Sequence, residues 1–314
     1  MIRKRQRRVP SGHYALLVNR RASNYEPKAV EKLVASIRAA GQSYTIYEPE
    51  TAVDLLRQAE VAAGQRQASA AYPRPYERGG KVTALVACGG DGTFNLVARV
   101  GQKADLPVGQ LPLGKTNNVA LSFYGTSEPS QAIKNILSSG ARATNVGLAG
   151  NLPFFGSVGL GFAPKFIEEL AKRPLPRFTM GWSQLGAKVA AQVTLARTVV
   201  KVDAFRFEIQ PIILNVNILS HSMGLPLTLS SVPDDGQIEL VFDAGLQAGH
   251  FSSFTRLIRK KQYLYSDEFR LFRGREISVE PVAGRMMYLD GELIELPTDL
   301  LEIRIDGKKL QVLS

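Results

Sequence analysis

The segment Cys88–Thr93 (CGGDGT) holds the residues of this chain best suited to bind a phosphate group. A glycine-rich turn between a strand and a helix points successive backbone N–H groups at one place, and the helix N-terminus adds a positive dipole. Asp91 in such a turn is unusual unless it handles a metal ion or a hydroxyl proton. A plain Gly-Asp-Gly turn is the alternative, but the paired glycines and Thr93 favour phosphate binding.

A second glycine-rich segment, Gly109–Thr116 (GQLPLGKT), satisfies the GxxxxGK[ST] pattern of a P-loop. Its setting disagrees with that pattern. Three predicted strands precede the segment, whereas a P-loop usually follows the first strand of its domain, and Leu-Pro-Leu fills the centre of the loop. The segment is therefore better explained by another kind of phosphate-binding loop.

The elements that must position these loops alternate between strand and helix. Short apolar runs predict strands, and apolar residues at helical spacing predict the helices between them. The predicted strands are Tyr14–Val18, Tyr44–Tyr47, Val82–Cys88 and Val108–Leu111. This alternation predicts an open, mostly parallel, Rossmann-like α/β sheet, whose ligands bind beyond the carboxyl ends of the strands. Both glycine-rich loops follow such ends.

From about residue 143 the pattern changes to short strands separated by turns, which predicts an antiparallel β-sandwich. Two helical insertions are expected within it. We therefore predict an α/β nucleotide-binding domain over residues 1–142, completed by about 298–314, and a β-rich domain over 143–297.

Composition excludes several classes of protein. One cysteine among 314 residues excludes a disulfide framework, and three scattered histidines argue against a histidine metal centre. No run of 18 apolar residues is present, so no membrane span is expected. The expected location is the cytoplasm, with peripheral attachment to the inner face of the membrane.

The formal charge of +11, from 39 Lys and Arg against 28 Asp and Glu, is concentrated in two segments. Residues 1–8 carry a charge of +5, and residues 251–275 carry seven basic and two acidic residues, also +5. Two local basic patches indicate an anionic partner such as a membrane surface, although solvated charges would give the same pattern. No nucleic acid is expected, because no recognition motif accompanies the basic residues.

Six motifs in order resemble the superfamily of diacylglycerol kinases and sphingosine kinases, which are lipid kinases; some bacterial relatives would act on ceramide or sphingoid bases. CGGDGTFN followed by GQLPLGKTNNVA is similar to its GGDGTxNEV and GxxPxGTxNDxA motifs. The other similar segments are Asn19–Ser23 for NPxSG, Asn145–Gly147 for Asp-x-Gly, Pro233–Leu240 for DDGxLD and Asp290–Glu292 for DGE. The resemblance covers nearly the whole chain.

The resemblance implies a kinase that uses ATP and Mg²⁺, with the nucleotide between two domains. The residues it assigns to the nucleotide are Asn19, Gly89, Gly90, Asp91, Gly92, Thr93, Asn95, Gly114, Lys115 and Thr116. Asp235 would bind a metal ion with the carbonyl oxygens of Val232 and Gln237. Glu292 would be the general base, while the sphingosine branch proposes the residue at Asp91 for that role. Taken alone, Asp234–Gly236 and Asp290–Glu292 would be hairpin turns.

The chain departs from the family pattern at several acidic positions. Leu96 and Asn145 stand where the family has acids, as does Asn118, and Lys115 replaces a threonine. The nucleotide site is thus more cationic, and our hypothesis is that Lys115 contacts the phosphates directly. The alternative is a decayed site that binds nucleotide or lipid without turnover.

The resulting prediction is an ATP-dependent lipid kinase that phosphorylates a hydroxyl of diacylglycerol, or of ceramide or a sphingoid base. The motif departures incline the prediction slightly toward a sphingolipid-type acceptor. An apolar pocket for the acyl chains is expected, with Phe154, Phe155, Phe162, Phe166 and Trp182 as lining candidates, although core packing is the first expectation for any one of them. A soluble kinase similar to NAD kinase, which also uses GGDG, is the other enzyme considered.

Overall fold

A computed structural model of the protein describes residues 7–8, 12–67, 81–138, 140–172, 179–193, 196–246, 250–263 and 267–314. The chain divides into two compact units, Met1–Thr144 with Lys308–Ser314 and Asn145–Gly307. The first boundary lies close to the predicted one. The second differs, because residues 298–307 belong to the second unit and only the last few residues complete the first. Residues 1–6 of the basic N-terminus lie outside the described residues.

The elements are numbered along the chain. Those of the first unit before residue 145 are β1 (Arg7–Arg8), β2 (His13–Val18), α1 (Pro27–Ala39), β3 (Ser43–Tyr47), α2 (Ala52–Ala62), β4 (Val82–Gly89), α3 (Asp91–Ala104), β5 (Val108–Pro112), α4 (Asn118–Tyr124), α5 (Pro129–Ile136) and β6 (Gly140–Thr144). Those of the second unit are β7 (Gly147–Ala149), β8 (Leu152–Phe154), β9 (Ser157–Gly161), α6 (Phe162–Ala171), α7 (Thr179–Ala190), β10 (Thr198–Val202), β11 (Phe205–Ile209), β12 (Ile213–Asn217), β13 (Ile238–Asp243), α8 (Phe251–Arg259), β14 (Phe269–Gly274), β15 (Glu276–Glu280), β16 (Met286–Leu289), β17 (Glu292–Glu295) and β18 (Leu301–Ile305). Strand β19 (Leu310–Leu313) returns to the first unit.

The first unit is built on a seven-stranded sheet with the order β1-β6-β19-β5-β4-β2-β3. Strands β2 to β5 are parallel to one another and β19 is parallel to β5. Strand β6 is antiparallel to both of its neighbours, β19 and β1. The predicted α/β fold with a mostly parallel sheet is confirmed. Val18 pairs with Cys88 and Gly89 with Pro112, so the carboxyl ends of β2, β4 and β5 lie side by side.

Residue patterns explain these elements. Strand β4 lies in the middle of the sheet and its residues 84–88 are fully buried, which is why its sequence is continuously apolar. Helix α1 begins at Pro27, a residue suited to the first helical turn, and buries Val30, Leu33 and Ile37 along one face.

The second unit contains two six-stranded antiparallel sheets, with the orders β11-β10-β15-β18-β7-β8 and β14-β13-β12-β9-β16-β17. The ring of Phe207 in the first of these sheets stacks on Phe272 and Phe242 of the other, with centroids 4.8 and 5.5 Å apart. The predicted antiparallel β-sandwich is confirmed.

Three helices of the second unit pack into one apolar core with strands β12, β13, β14 and β16 of the second of these sheets. Phe162 of α6 stacks on Phe166 (5.1 Å) and meets Phe251 of α8 (4.7 Å), and Leu185 of α7 belongs to the same cluster. None of the helices in the described ranges has the length and apolarity that crossing a membrane requires.

Candidate active site

The two glycine-rich loops of the first unit touch each other. A Cβ atom added to Gly114 would lie 2.4 Å from the Cα of Gly90, and the Leu113 N–H donates to the Gly89 carbonyl at 3.1 Å. Glycine is therefore required at position 114 because the two backbones approach closely. The loops that the sequence presents as separate motifs form one structure at the carboxyl ends of β4 and β5.

Asp91, the first residue of α3, is a buried acceptor of several hydrogen bonds. Its Oδ2 accepts from Thr116 Oγ1 at 2.6 Å and from Asn118 Nδ2 at 3.1 Å, and its Oδ1 accepts from the Val119 N–H at 3.3 Å. Burial raises the pKa of the Asp91 carboxyl, and these donors oppose that rise. The carboxyl ties the second glycine-rich loop and the start of α4 to the first turn of α3.

The loop after β2 is attached to both glycine-rich loops. Asn19 Nδ2 donates to Thr93 Oγ1 at 3.0 Å, which links the end of β2 to the first turn of α3. Asn24 donates from its backbone N–H to the Leu113 carbonyl (2.9 Å) and from Nδ2 to the Gly114 carbonyl (2.6 Å). Sequence reasoning stopped at Ser23 and missed Asn24, although an asparagine in a loop that follows a buried strand is a recognisable turn residue.

Asn117 holds Gly114 in place and was also missed as a site residue. Its backbone is left-handed, with φ +49°, and its side-chain amide both accepts from the Gly114 N–H and donates to the Gly114 carbonyl, each at 2.9 Å. Lys115 and Thr116, the residues between them, are half-buried. Their positions are thus fixed by a loop whose two ends are hydrogen-bonded to each other.

One face of this network remains open. Among the described residues, a Cβ added to Gly92 would meet no atom beyond its own helical turn within 4 Å, so the first turn of α3 can be approached closely there. The N-terminus of this 14-residue helix carries a positive dipole. Asn95, by contrast, is 1% exposed. Its side chain therefore belongs to the interior of the unit.

In the second unit, Glu292 follows a tight hairpin turn. Asp290 and Gly291 have φ values of +47° and +105°, as a two-residue hairpin loop requires. The Asp290 carboxylate accepts from three successive backbone N–H groups, those of Phe155 (2.6 Å), Gly156 (2.9 Å) and Ser157 (2.7 Å). Asp290 thus anchors the hairpin to the start of β9, and Glu292, the half-buried first residue of β17, is held in a fixed position.

The residues predicted to hold a metal ion are already engaged with nitrogen donors. Asp235 Oδ1 accepts from the Gln237 N–H at 2.9 Å, and Asp235 Oδ2 lies 3.7 Å from a guanidinium nitrogen of Arg273. The Gln237 carbonyl accepts from Asn145 Nδ2 at 3.3 Å, and the Val232 carbonyl accepts from the Asp235 N–H at 3.3 Å. Mg²⁺ needs oxygen ligands in near-octahedral geometry, so this set, with a cation beside it, does not fit a divalent ion.

Glu239 belongs to the same cluster. Burial raises the pKa of its carboxyl, and hydrogen bonds from Ser231 and Arg273 oppose that rise. In the described part of the chain, no group of three or more His, Cys, Asp or Glu side chains is arranged to hold a metal ion. Three strands of the sheet lie between β13, next to this cluster, and β17, which carries Glu292.

The second unit also contains a pocket of about 590 Å³. Its apolar lining comes from residues of α6, β9, β12, the β16–β17 hairpin and neighbouring loops: Leu160, Pro164, Val193, Pro211, Leu214, Met286 and Leu293. Lys165, Glu168 and Arg285 are the charged residues around it. The predicted lining residues Phe154, Phe155, Phe162 and Phe166 are instead buried in the interior, and the side chain of Trp182 lies outside the described residues.

Residues 13–149 match the family model of the diacylglycerol kinase catalytic domain. This part, which is under half of the chain, is similar to that family. A solved structure of a candidate diacylglycerol kinase from Bacillus anthracis str. Sterne is 19% identical, with a TM-score of 0.73 and 96% of each chain covered. A structure of a diacylglycerol kinase from the same organism is 15% identical, with a TM-score of 0.68 and 96% of each chain covered. At this identity both show the fold alone. No curated protein matches the chain.

The part of the chain that is similar to this catalytic domain gathers most of the predicted nucleotide residues into one hydrogen-bonded network. Asn19, Thr93 and Asp91 are linked within it, and the Gly90–Gly114 contact joins the two glycine-rich loops. The part of the chain that holds this network is therefore the part that is similar to a kinase catalytic domain. Phosphoryl transfer depends on positioning and on neutralising charge rather than on covalent chemistry of the protein, and a rigid, donor-rich loop serves both purposes.

Proposed function

We propose that this protein is an ATP-dependent lipid kinase that transfers the γ-phosphoryl group to a hydroxyl of diacylglycerol, or of ceramide or a sphingoid base. The pocket of about 590 Å³ in the second unit supports the lipid acceptor more than any other observation. Two residues of its lining, Met286 and Leu293, are 42% and 37% exposed, so apolar surface continues to the outside. Ligand pockets of this size are usually apolar with a few polar groups that fix orientation, which suits an acyl chain.

The first unit binds the nucleotide in this proposal. The open face at Gly92 admits a phosphate group to the N-terminus of α3, where backbone N–H groups and the helix dipole favour negative charge. Lys115 supplies a positive charge from the second glycine-rich loop. Mg²⁺ enters with ATP as part of the nucleotide substrate.

Glu292 is the proposed general base. It takes the proton of the lipid hydroxyl while that oxygen forms its bond to the γ-phosphorus and the bond from the γ-phosphorus to the bridging oxygen breaks, so that ADP leaves. The Asp290 anchor favours Glu292 over Asp91 for this role. Asp91 already accepts three hydrogen bonds within the loop network, and protonating its carboxyl would weaken them.

Membrane attachment through basic residues is part of the proposal. Within 251–275, Arg273 pairs with Glu239, and Arg270 donates to the Asp267 and Phe269 carbonyls. The basic surface is therefore assigned to the end of α8, where Arg256, Lys260 and Lys261 are exposed. Residues 1–8 add a second basic segment. The proposal also includes a cytoplasmic location at the inner face of the membrane and an anionic lipid partner, with no nucleic acid.

The deciding experiment is transfer of labelled phosphate from ATP to diacylglycerol, ceramide and a sphingoid base in mixed micelles, with NAD as a soluble acceptor. We expect one lipid to be labelled. Glu292→Gln should abolish the labelling while ATP binding persists, and Glu295→Gln, an exposed acid on the same strand, should retain it. Labelling of NAD alone, or ATP binding without labelling of any acceptor, would contradict the proposal.

A further inference from the structure

The guanidinium of Arg273 lies among oxygen atoms of three residues, two in the loop that leads into β13 and one at the start of β13 itself. The register of β13 and β14 pairs Arg273 with Glu239, and Nη2 donates to Glu239 Oε1 and to the Ser230 carbonyl, both at 2.8 Å. The same nitrogen is 3.7 Å from Asp235 Oδ2. The Glu239 side chain is only 2% exposed, so its charge is balanced by Arg273 and not by water.

Asn145 binds the same loop through its side-chain amide. Nδ2 donates to the Gln237 carbonyl at 3.3 Å and to Asp235 Oδ1 at 3.5 Å, while Oδ1 accepts from the Gly236 N–H at 3.3 Å. A carboxylate at this position could not donate to either oxygen, because an ionised acid is an acceptor only. The amide therefore donates to oxygens that a bound cation would also have to contact.

The contacts of Arg273 and Asn145 disfavour binding of a divalent cation at this loop. A divalent cation would have to compete with the N–H donors for Asp235 Oδ1 and the Gln237 carbonyl, and it would be repelled by the guanidinium. We infer that Arg273 and Asn145 together take the place of a divalent cation in this chain, so that the loop of residues 230–239 folds without metal. A guanidinium can do this because its planar set of donors reaches several oxygens at once and stays charged. The inference concerns folding of the second unit and does not depend on which acceptor the kinase uses.

The first test measures the full chain without nucleotide or lipid. Thermal unfolding is followed in excess EDTA, in MgCl₂ and in CaCl₂, at matched ionic strength, and the metal content of the dialysed protein is determined by mass spectrometry. We expect the same Tm in all three buffers and a metal content far below one ion per chain. A Tm that rises by several degrees with either metal, or one tightly held ion per chain, would overturn the inference.

The second test removes the guanidinium. Arg273→Gln should lower the Tm by several degrees in every buffer, because the buried Glu239 loses its counter-charge. The Tm of Arg273→Lys should lie between that of Arg273→Gln and that of the native chain. Arg275→Gln, two residues along the chain and exposed, is the matched control and should leave the Tm unchanged. Equal Tm values for Arg273→Gln and Arg275→Gln would refute the assignment to Arg273. If Arg273→Gln does not fold, the metal comparison on the native chain decides alone.

Discussion

At the scale of single residues, the departures from the family pattern fit their neighbours. The family has an acid at Asn118, but here the Asn118 amide donates to the buried Asp91 carboxylate at 3.1 Å. A second carboxylate at this position would repel Asp91 in a site that burial already makes unfavourable for charge. The amide therefore stabilises the loop network, and this substitution is no sign of a decayed site.

The prediction for a single residue concerns Lys115 and its contact with the nucleotide. Its half-buried position lies next to Gly114, whose backbone is held at both ends by Asn117. Lys115→Ala should raise the KM for ATP several-fold, up to about tenfold, which corresponds to about 1.4 kcal/mol of lost binding. Steady-state kinetics with varied ATP checks this, with Lys134→Ala on the exposed side of α5 as control. Kinetics of Lys115→Ala identical to those of the control would remove the phosphate role.

At the scale of elements, the glycines of the two loops serve different purposes. Gly114 approaches the Gly90 backbone so closely that a side chain cannot be accommodated, whereas a Cβ on Gly92 would meet no described atom beyond its own helical turn within 4 Å. The first glycine is needed for the fold. The second leaves open the space that a nucleotide phosphate would fill.

Substituting each glycine by alanine should separate folding from binding. Gly114→Ala should reduce the free energy of unfolding by about 1–3 kcal/mol, the usual cost of overpacking. Gly92→Ala should leave stability unchanged or raise it by about 0.4–1 kcal/mol, because alanine restricts the unfolded chain. Gly92→Ala should nevertheless raise the KM for ATP. Denaturant unfolding and ATP kinetics on the two variants give both results, and unchanged ATP kinetics of Gly92→Ala would contradict phosphate binding there.

Elements built from local patterns could be predicted from the sequence, and long-range contacts could not. The apolar run of β4 lies within a few residues, so it was predicted as Val82–Cys88 and is observed as Val82–Gly89. The contact of Gly90 with Gly114 and the pairing of Arg273 with Glu239 join distant residues whose spacing carries no periodic pattern. Four of the candidate lining residues, Phe154, Phe155, Phe162 and Phe166, lie in the core, because apolar type alone does not distinguish the core from a cavity wall.

At the scale of the whole molecule, the basic residues that give the net charge of +11 do not all face the same kind of partner. Arg273 is used inside the second unit, where its charge is paired with that of Glu239. The charges left to face an anionic surface are therefore fewer than the sequence of residues 251–275 indicates. Membrane attachment should consequently depend more on the N-terminal segment than the equal formal charges of the two segments indicate.

Removing residues 1–8 tests that expectation. Each basic residue near an anionic leaflet contributes roughly 1 kcal/mol, so loss of five positive charges should weaken binding to anionic vesicles strongly at low ionic strength. Because salt screens such attraction over about 10 Å at 0.1 M, the difference should shrink as salt is added. Vesicle sedimentation compares the native chain, the truncated chain and a full-length variant with the five basic residues changed to glutamine. If the positive charges of residues 1–8 cause the attachment, the truncated chain and the glutamine variant should bind the vesicles equally weakly. Equal binding by all three proteins would assign attachment to the end of α8 instead.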